Sequence, residues 1–162
     1  MIVVADAGPL RYLVVIGAVD VLEPLYGRVI IPETVAAELQ EAKTPETVRS
    51  WIAQPPAWCQ IRANPPADPR LDFLDPGERA AINLALSVGA DRLLIDDWKA
   101  RAEAERCQLH ATGTLGVLAD AHLAGLLDFE TALGQLRCTN FYMSDALVEG
   151  LRQRLTRAAD KS

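Results

Sequence analysis

Apolar residues in this chain fall into short aliphatic runs separated by longer stretches of helical period. Residues 2–5 (Ile-Val-Val-Ala), 29–31 (Val-Ile-Ile) and 93–95 (Leu-Leu-Ile) read as buried strands, and 109–111 as a weaker one. A proline-rich connection over 55–69 carries a short extended piece at 58–62. Helices are predicted at 12–16 and 19–26, parted by Gly17, then at 34–42 after Pro32 and at 45–54. Asp75-Pro76-Gly77-Glu78 opens a helix that continues through 79–88 and stops at Gly89. Further helices are expected at 98–107, 115–126, 129–137 and 144–158, with fraying over 158–162. Strands alternating with helices predict an α/β fold, with a central, mainly parallel sheet flanked by helices on both faces.

The chain's 162 residues, 50% of them hydrophobic, suffice for one domain with a substantial core. No run of ~18 apolar residues appears. Asp6 and Arg11 interrupt the amino-terminal segment where a secretory signal would lie. A soluble cytoplasmic protein without a membrane partner is expected. Cys59, Cys107 and Cys138 are odd in number and unpaired in spacing, so they read as reduced thiols rather than a zinc site or disulfide framework. A net charge of −6 argues against broad nucleic-acid binding, because Lys and Arg make the phosphate contacts. Basic residues nevertheless gather at Lys99, Arg101 and Arg106, and again at Arg152, Arg154 and Arg157, which leaves room for a short local contact.

Candidate chemistry lies in acids spread along the chain. Asp6 ends the first apolar run, where an α/β sheet binds ligands; it could equally cap a helix through the amides of residues 7–10. Glu38 shares a helical face with Val35, Leu39 and Ala42, and so sits in an apolar stripe unless it snorkels to water. Glu78 follows Asp75 by three residues, a capping-box spacing that explains it without any function. Asp96 and Asp97 are adjacent, so one is expected to face a site and the other to cap the next helix, with Asp97 favoured as the ligand. Carboxylates brought together this way repel one another, and a divalent cation relieves the repulsion.

These residues stand in a recognisable order: Asp6-Ala7-Gly8-Pro9-Leu10, then Ile30-Ile31-Pro32 leading to Glu38-Leu39. Pro76-Gly77-Glu78-Arg79-Ala80-Ala81-Ile82, Leu94-Ile95-Asp96-Asp97 and Thr112-Gly113-Thr114-Leu115-Gly116-Val117-Leu118 follow. The series resembles a PIN domain, of the subfamily with a G-T-x-G-x-L segment after the last strand. The resemblance implies a PIN-like nuclease domain over 1–127 and a helical extension over 128–162 packed on it. It also implies Mg²⁺- or Mn²⁺-dependent cleavage of single-stranded RNA, often by the toxin of a toxin–antitoxin pair of the VapBC kind. Carried over by position, Asp6, Glu38, Glu78 and Asp97 are the catalytic, metal-binding quartet, with Asp96 beside them as a further metal ligand. RNA, an antitoxin protein and a second copy of the chain are the implied partners. Ala7 stands where many members carry a hydroxyl residue, and Ile95 where Thr or Ser is usual.

Other residues are weaker candidates. Lys99, Arg101, Thr112 and Thr114 could meet substrate phosphate, although a solvated helix face and a helix cap are the ordinary roles of such residues. Trp98 reads as a packing residue before a base-stacking one. His110 and His122 read as structural. The competing function is a catalytically weak or inactive PIN-fold module that binds RNA or a protein. A receiver domain would need its acid pair after the first strand, and a D-x-D phosphatase would need an acid where Gly8 stands.

Overall fold

Val3, Val4 and Ala5 form β1 (Val3–Ala5), and all three are fully buried, as in a strand covered on both faces. The structure, a computed structural model, describes residues 1–161; Ser162, at the end of the expected extension, lies outside the described residues. β2 (Val29–Pro32) and β4 (Arg92–Leu94) flank β1, β3 (Cys59–Arg62) pairs with β2, and β5 (Ala111–Thr112) pairs with β4. The order is β3-β2-β1-β4-β5, and every pairing is parallel. The register sets Val4 beside Ile30 and Leu93, and these three share one core cluster with Ile82 and Ala85. Val3, Ala5, Val29, Ile31 and Leu94 alternate to the opposite face and are fully buried there. The expected α/β three-layer architecture is therefore present, with the extended piece at 58–62 recruited as an edge strand.

The strand order reverses at β1. The chain steps from β1 to β2 and β3 on one side, then crosses to β4 and β5 on the other. A crevice opens at such a switch point, beyond the carboxyl ends of the two strands. The Asp6 amide donates to the Leu94 carbonyl at 2.8 Å and fixes the two strand ends together.

The helices of this unit are α1 (Ala7–Val15), α2 (Leu22–Tyr26), α3 (Glu33–Leu39), α4 (Glu46–Ala53), α5 (Pro76–Val88) and α6 (Trp98–Arg106). Short 3₁₀ turns at Val19–Val21 and Pro69–Leu71 precede α2 and α5. α1 begins five residues before the predicted 12–16 helix. Pro9 is no obstacle, because the first four amides of a helix have no partner within it. α3 stops at Leu39 instead of reaching residue 42. Gln40 and Glu41 close three-residue turns onto Ala37 and Glu38, and Thr44 Oγ1 donates to the Glu38 carbonyl at 3.1 Å. Ala42 is consequently exposed rather than part of the apolar stripe. β5 starts late because Gln108 turns through φ 66° and the Leu109 amide still bonds to Ala104 in α6.

The chain divides into two compact units, the first ending at Thr114 and the second beginning at Leu115. α7 (Thr114–Leu123) leads into the second, which continues with α8 (Phe129–Arg137) and α9 (Asp145–Asp160). Phe129, Leu133 and Leu136 are buried, His122 Nδ1 accepts from the Phe129 amide at 3.0 Å, and Arg152 and Arg154 of α9 pair with Glu130 and Asp120. Ser144 caps α9, which stays helical to Asp160, beyond the point where fraying was expected. No helix among the described residues is long and apolar enough to cross a membrane.

Burial and exposed pairing differ in weight. Leu93→Ala, which empties a fully buried position in the central sheet, is expected to cost about 2–5 kcal/mol. Arg152→Ala, which breaks a half-exposed ion pair, should cost less than about 1 kcal/mol. Urea unfolding midpoints at unchanged m-value provide the comparison.

Candidate functional site

Asp6 leaves β1 at the N-cap position of α1, but its side chain makes no cap bond to the second or third helical amide. Only 8% exposed, it keeps a single favourable partner, the Ala7 amide. Desolvation pushes its pKa well above the usual carboxylate range, and the charges of Asp75, Glu38 and Glu78 push it further. Of the cap expected through the amides of residues 7–10, the side chain makes the bond to the Ala7 amide.

Glu38, half-buried on α3, reaches the first turn of α5, where it accepts from the Gly77 amide. Burial raises its pKa first and Asp75 next, while the Gly77 bond opposes both. A Cβ on residue 77 would lie 2.8 Å from Glu38 Cδ and 2.9 Å from Oε2, so glycine at this position admits the carboxylate. Gly77 therefore has a structural reason that the sequence pattern, which offered it only as part of a helix start, did not disclose.

Glu78 does what its spacing suggests and something more. Its amide donates to Asp75 Oδ1 at 2.8 Å, and its Oε1 accepts from the Asp75 amide at 3.2 Å, completing the capping box. The residue is only 9% exposed. Desolvation, then the charge of Asp75, lift its pKa to about 7, and Asp97 and Glu38 add to the effect. Asp75 acts on Asp6, Glu38 and Glu78 alike, yet sequence reasoning treated it only as a cap.

The adjacent aspartates diverge, but Asp97, the one favoured as the ligand, is the one that caps the helix. Asp97 is exposed and caps α6, its Oδ2 accepting from the Ala100 amide at 3.0 Å. Asp96 turns inward and accepts from the Thr114 amide and hydroxyl, both at 2.7 Å. Burial raises the Asp96 pKa, and these two bonds and the Arg101 charge hold it down. A Cβ at Gly113 would stand 2.9 Å from Asp96 Oδ1 and 3.2 Å from Arg101 Nη1, so that glycine keeps the three groups together.

The remaining candidates scatter. Thr114 is fully buried against Asp96, and the Thr112 hydroxyl accepts from Arg92 Nη1 at 2.6 Å. Lys99 is exposed with its ammonium 5.7 Å from the Trp98 ring centre, and Trp98 is 69% exposed, contrary to a packing role. Ile95 is wholly buried in the core cluster, so that side chain points away from the crevice. Among the described residues, no three acidic, histidine or cysteine side chains converge closely enough to hold a cation as they stand.

Hard carboxylate oxygens held out of water beside other carboxyls suit a hard divalent cation. By donor chemistry Asp6, Glu38 and Glu78 fit such an ion. Asp97 is close enough to influence Glu78, but its carboxylate is occupied at the helix cap.

The model of a PIN-domain family matches residues 2–157, and the chain belongs to that family. Among solved structures it is similar to a PilT N-terminus domain protein from the hyperthermophilic archaeon Sulfolobus solfataricus, at 14% identity and a TM-score of 0.52. That likeness covers 89% of this chain and 100% of the other and concerns the fold. No curated protein matches the chain in sequence.

Because Glu78 stays protonated in the folded protein up to about pH 7, above the ordinary glutamate value of 4.5, folding takes up a proton between these limits. Stability of the chelator-treated protein should fall as pH rises from about 5 through about 7, and Glu78→Gln should flatten that slope. Thermal unfolding across the pH series measures both. Gly77→Ala should leave the fold intact, since the group displaced is the end of a flexible side chain, while moving the Glu38 carboxylate out of place.

Proposed function

We propose that this protein is a metal-dependent endoribonuclease that cleaves single-stranded RNA at the crevice beyond β1 and β4. The observation that carries this reading is the set of three desolvated carboxyls, Asp6, Glu38 and Glu78, all raised further by the charge of Asp75, at the switch point of a parallel sheet. Membership of the PIN-domain family, whose members are generally nucleases, supports it.

In this reading Asp6, Glu38 and Glu78 hold Mg²⁺ or Mn²⁺, with Asp97 at the rim. When bound, the cation supplies Lewis acidity toward a phosphoryl oxygen and activates water near neutral pH. Asp6 provides the fixed point, being set by β1 and the Leu94 carbonyl. Gly77 positions Glu38 by its amide, and Asp75 positions Glu78 through the capping box. Glu78, with a pKa of about 7, must release its proton for the cation to bind, so affinity is linked to pH. Asp96 orients the Gly113–Thr114 segment through Thr114 instead of facing the ion.

A second reading, a PIN-fold module that binds RNA or a protein without cutting, draws support from the occupied Asp97 carboxylate and the lack of a converged ligand set among the described residues. Within the nuclease reading, the finer version is a toxin with an antitoxin partner, working as a homodimer. Growth arrest on induction, relieved by Asp6→Asn or by the product of an adjacent short gene, would support it; arrest by Asp6→Asn as strong as by the unaltered protein would count against it.

Purified protein should cleave a labelled single-stranded RNA in Mg²⁺ or Mn²⁺ and stop in chelator. Asp6→Asn and Glu38→Gln should each lose at least about 10–100-fold, the loss that removal of even an outer partner of a metal ligand brings. Calorimetric Mg²⁺ or Mn²⁺ affinity should rise with pH through about 7, with proton release on binding. Absence of binding at any pH would exclude the enzyme and leave the binding module.

A further inference from the structure

Two large aromatic rings stand in solvent close in sequence to acids of the candidate site. Phe73 is 61% exposed although its neighbours Leu71 and Leu74, on the same turn, are buried in the core cluster. Trp98 is 69% exposed at the first position of α6, whose apolar face is made by Ala100 and Ala104 instead. Singly, an exposed aromatic needs no explanation. These two adjoin particular acids: Phe73 lies two residues before Asp75, and Trp98 directly follows Asp97. Asp75 shares the capping box with Glu78, and Asp97 follows β4, whose Leu94 carbonyl accepts from the Asp6 amide. Each ring thus stands exposed within two residues of an acid tied to Glu78 or to the strand end beside Asp6.

We propose that Trp98 and Phe73 form the base-stacking platform of this site, taking unpaired bases on either side of the phosphate to be attacked. The inference rests on the ribonuclease reading and extends it to the residues that hold the substrate. A strongly acidic pocket gives little attraction to a phosphate chain, whereas stacking is independent of charge and available to every base. Lys99, with its ammonium 5.7 Å from the Trp98 ring centre, adds a cation beside the ring, where the backbone of a stacked nucleotide would pass. Paired bases cannot reach such rings, so the platform also selects single strands over duplex.

The test is equilibrium binding of a fluorescent oligouridylate of about ten nucleotides, compared with an abasic ribose-phosphate chain of equal length. Both are measured in Mg²⁺ in an Asp6→Asn background, so that substrate is not consumed. The base-bearing chain should bind at least about fivefold more tightly. Trp98→Ala and Phe73→Ala should each weaken it by about five- to 100-fold, the range of one base–aromatic stack, and leave abasic binding unchanged. Trp98→Phe should restore most of the loss, and thermal unfolding of each variant should be unaltered. Equal binding of the two chains by the protein with both rings intact, equal weakening of both chains by Trp98→Ala, or no binding of either, overturns the platform. Base-dependent binding without cleavage by the unaltered protein removes the nuclease and keeps the platform. Cleavage with base-independent binding does the reverse.

Discussion

Placing like charges out of water is the constraint around which the first unit is arranged. Asp6 is carried into the crevice by β1, whose three residues are fully buried, and it has no freedom to retreat without unpairing its amide from Leu94. α3 and α5 pack against each other and bring Glu38 and Glu78 to the same place. Desolvation is the leading cause of the raised pKa at all three, ahead of any pairwise charge. The penalty therefore comes from the fold rather than from side-chain choice, and lengthening or reorienting one acid would not remove it. A group that binds only the folded form stabilises it in proportion to that binding, so a cation would relieve the strain and favour the fold together.

The amino terminus of α5 combines several tasks in four residues. Pro76 enters the helix without losing a bond, Asp75 and Glu78 close the capping box, and Gly77 offers its amide and its missing side chain to Glu38. Capping and site formation are one arrangement here. The box fixes the rotamer of Glu78, and the N-terminal end of the helix dipole offers a partial positive charge to the carboxylates gathered there. A local reading that assigns Glu78 either to the cap or to the site sets up a false choice.

Period and end signals in the sequence were enough for the sheet, because buried parallel strands have few alternatives: Val3–Ala5, Val29–Pro32 and Arg92–Leu94 are all short, apolar and flanked by helices. Boundaries failed where non-local bonds decided them. Thr44 ends α3 early, and the left-handed Gln108 postpones β5. At the site, the positions of Asp6, Glu38 and Glu78 were legible from strand ends and helical faces. The importance of Asp75 was not, since its effect on three other acids depends on tertiary approach. Nor were the roles of Gly77 and Gly113, which consist of the space a side chain would have filled. Trp98 misled because indole is ordinarily buried, and only the position of the α6 apolar face shows that it cannot be.

Asp96 and Asp97 illustrate how backbone direction, not composition, divides labour. Successive residues at the end of a strand face opposite ways, so one carboxyl meets Thr114 and Arg101 while the other begins α6. The inward acid is compensated locally by two hydrogen bonds and the charge of Arg101. Lys99 remains exposed on the opposite side of that division. On the proposed nuclease reading, attraction for RNA would fall largely to whatever cation the acids hold. On that reading affinity for substrate and affinity for metal would be coupled, and the exposed rings of Phe73 and Trp98 would hold RNA independently of the cation.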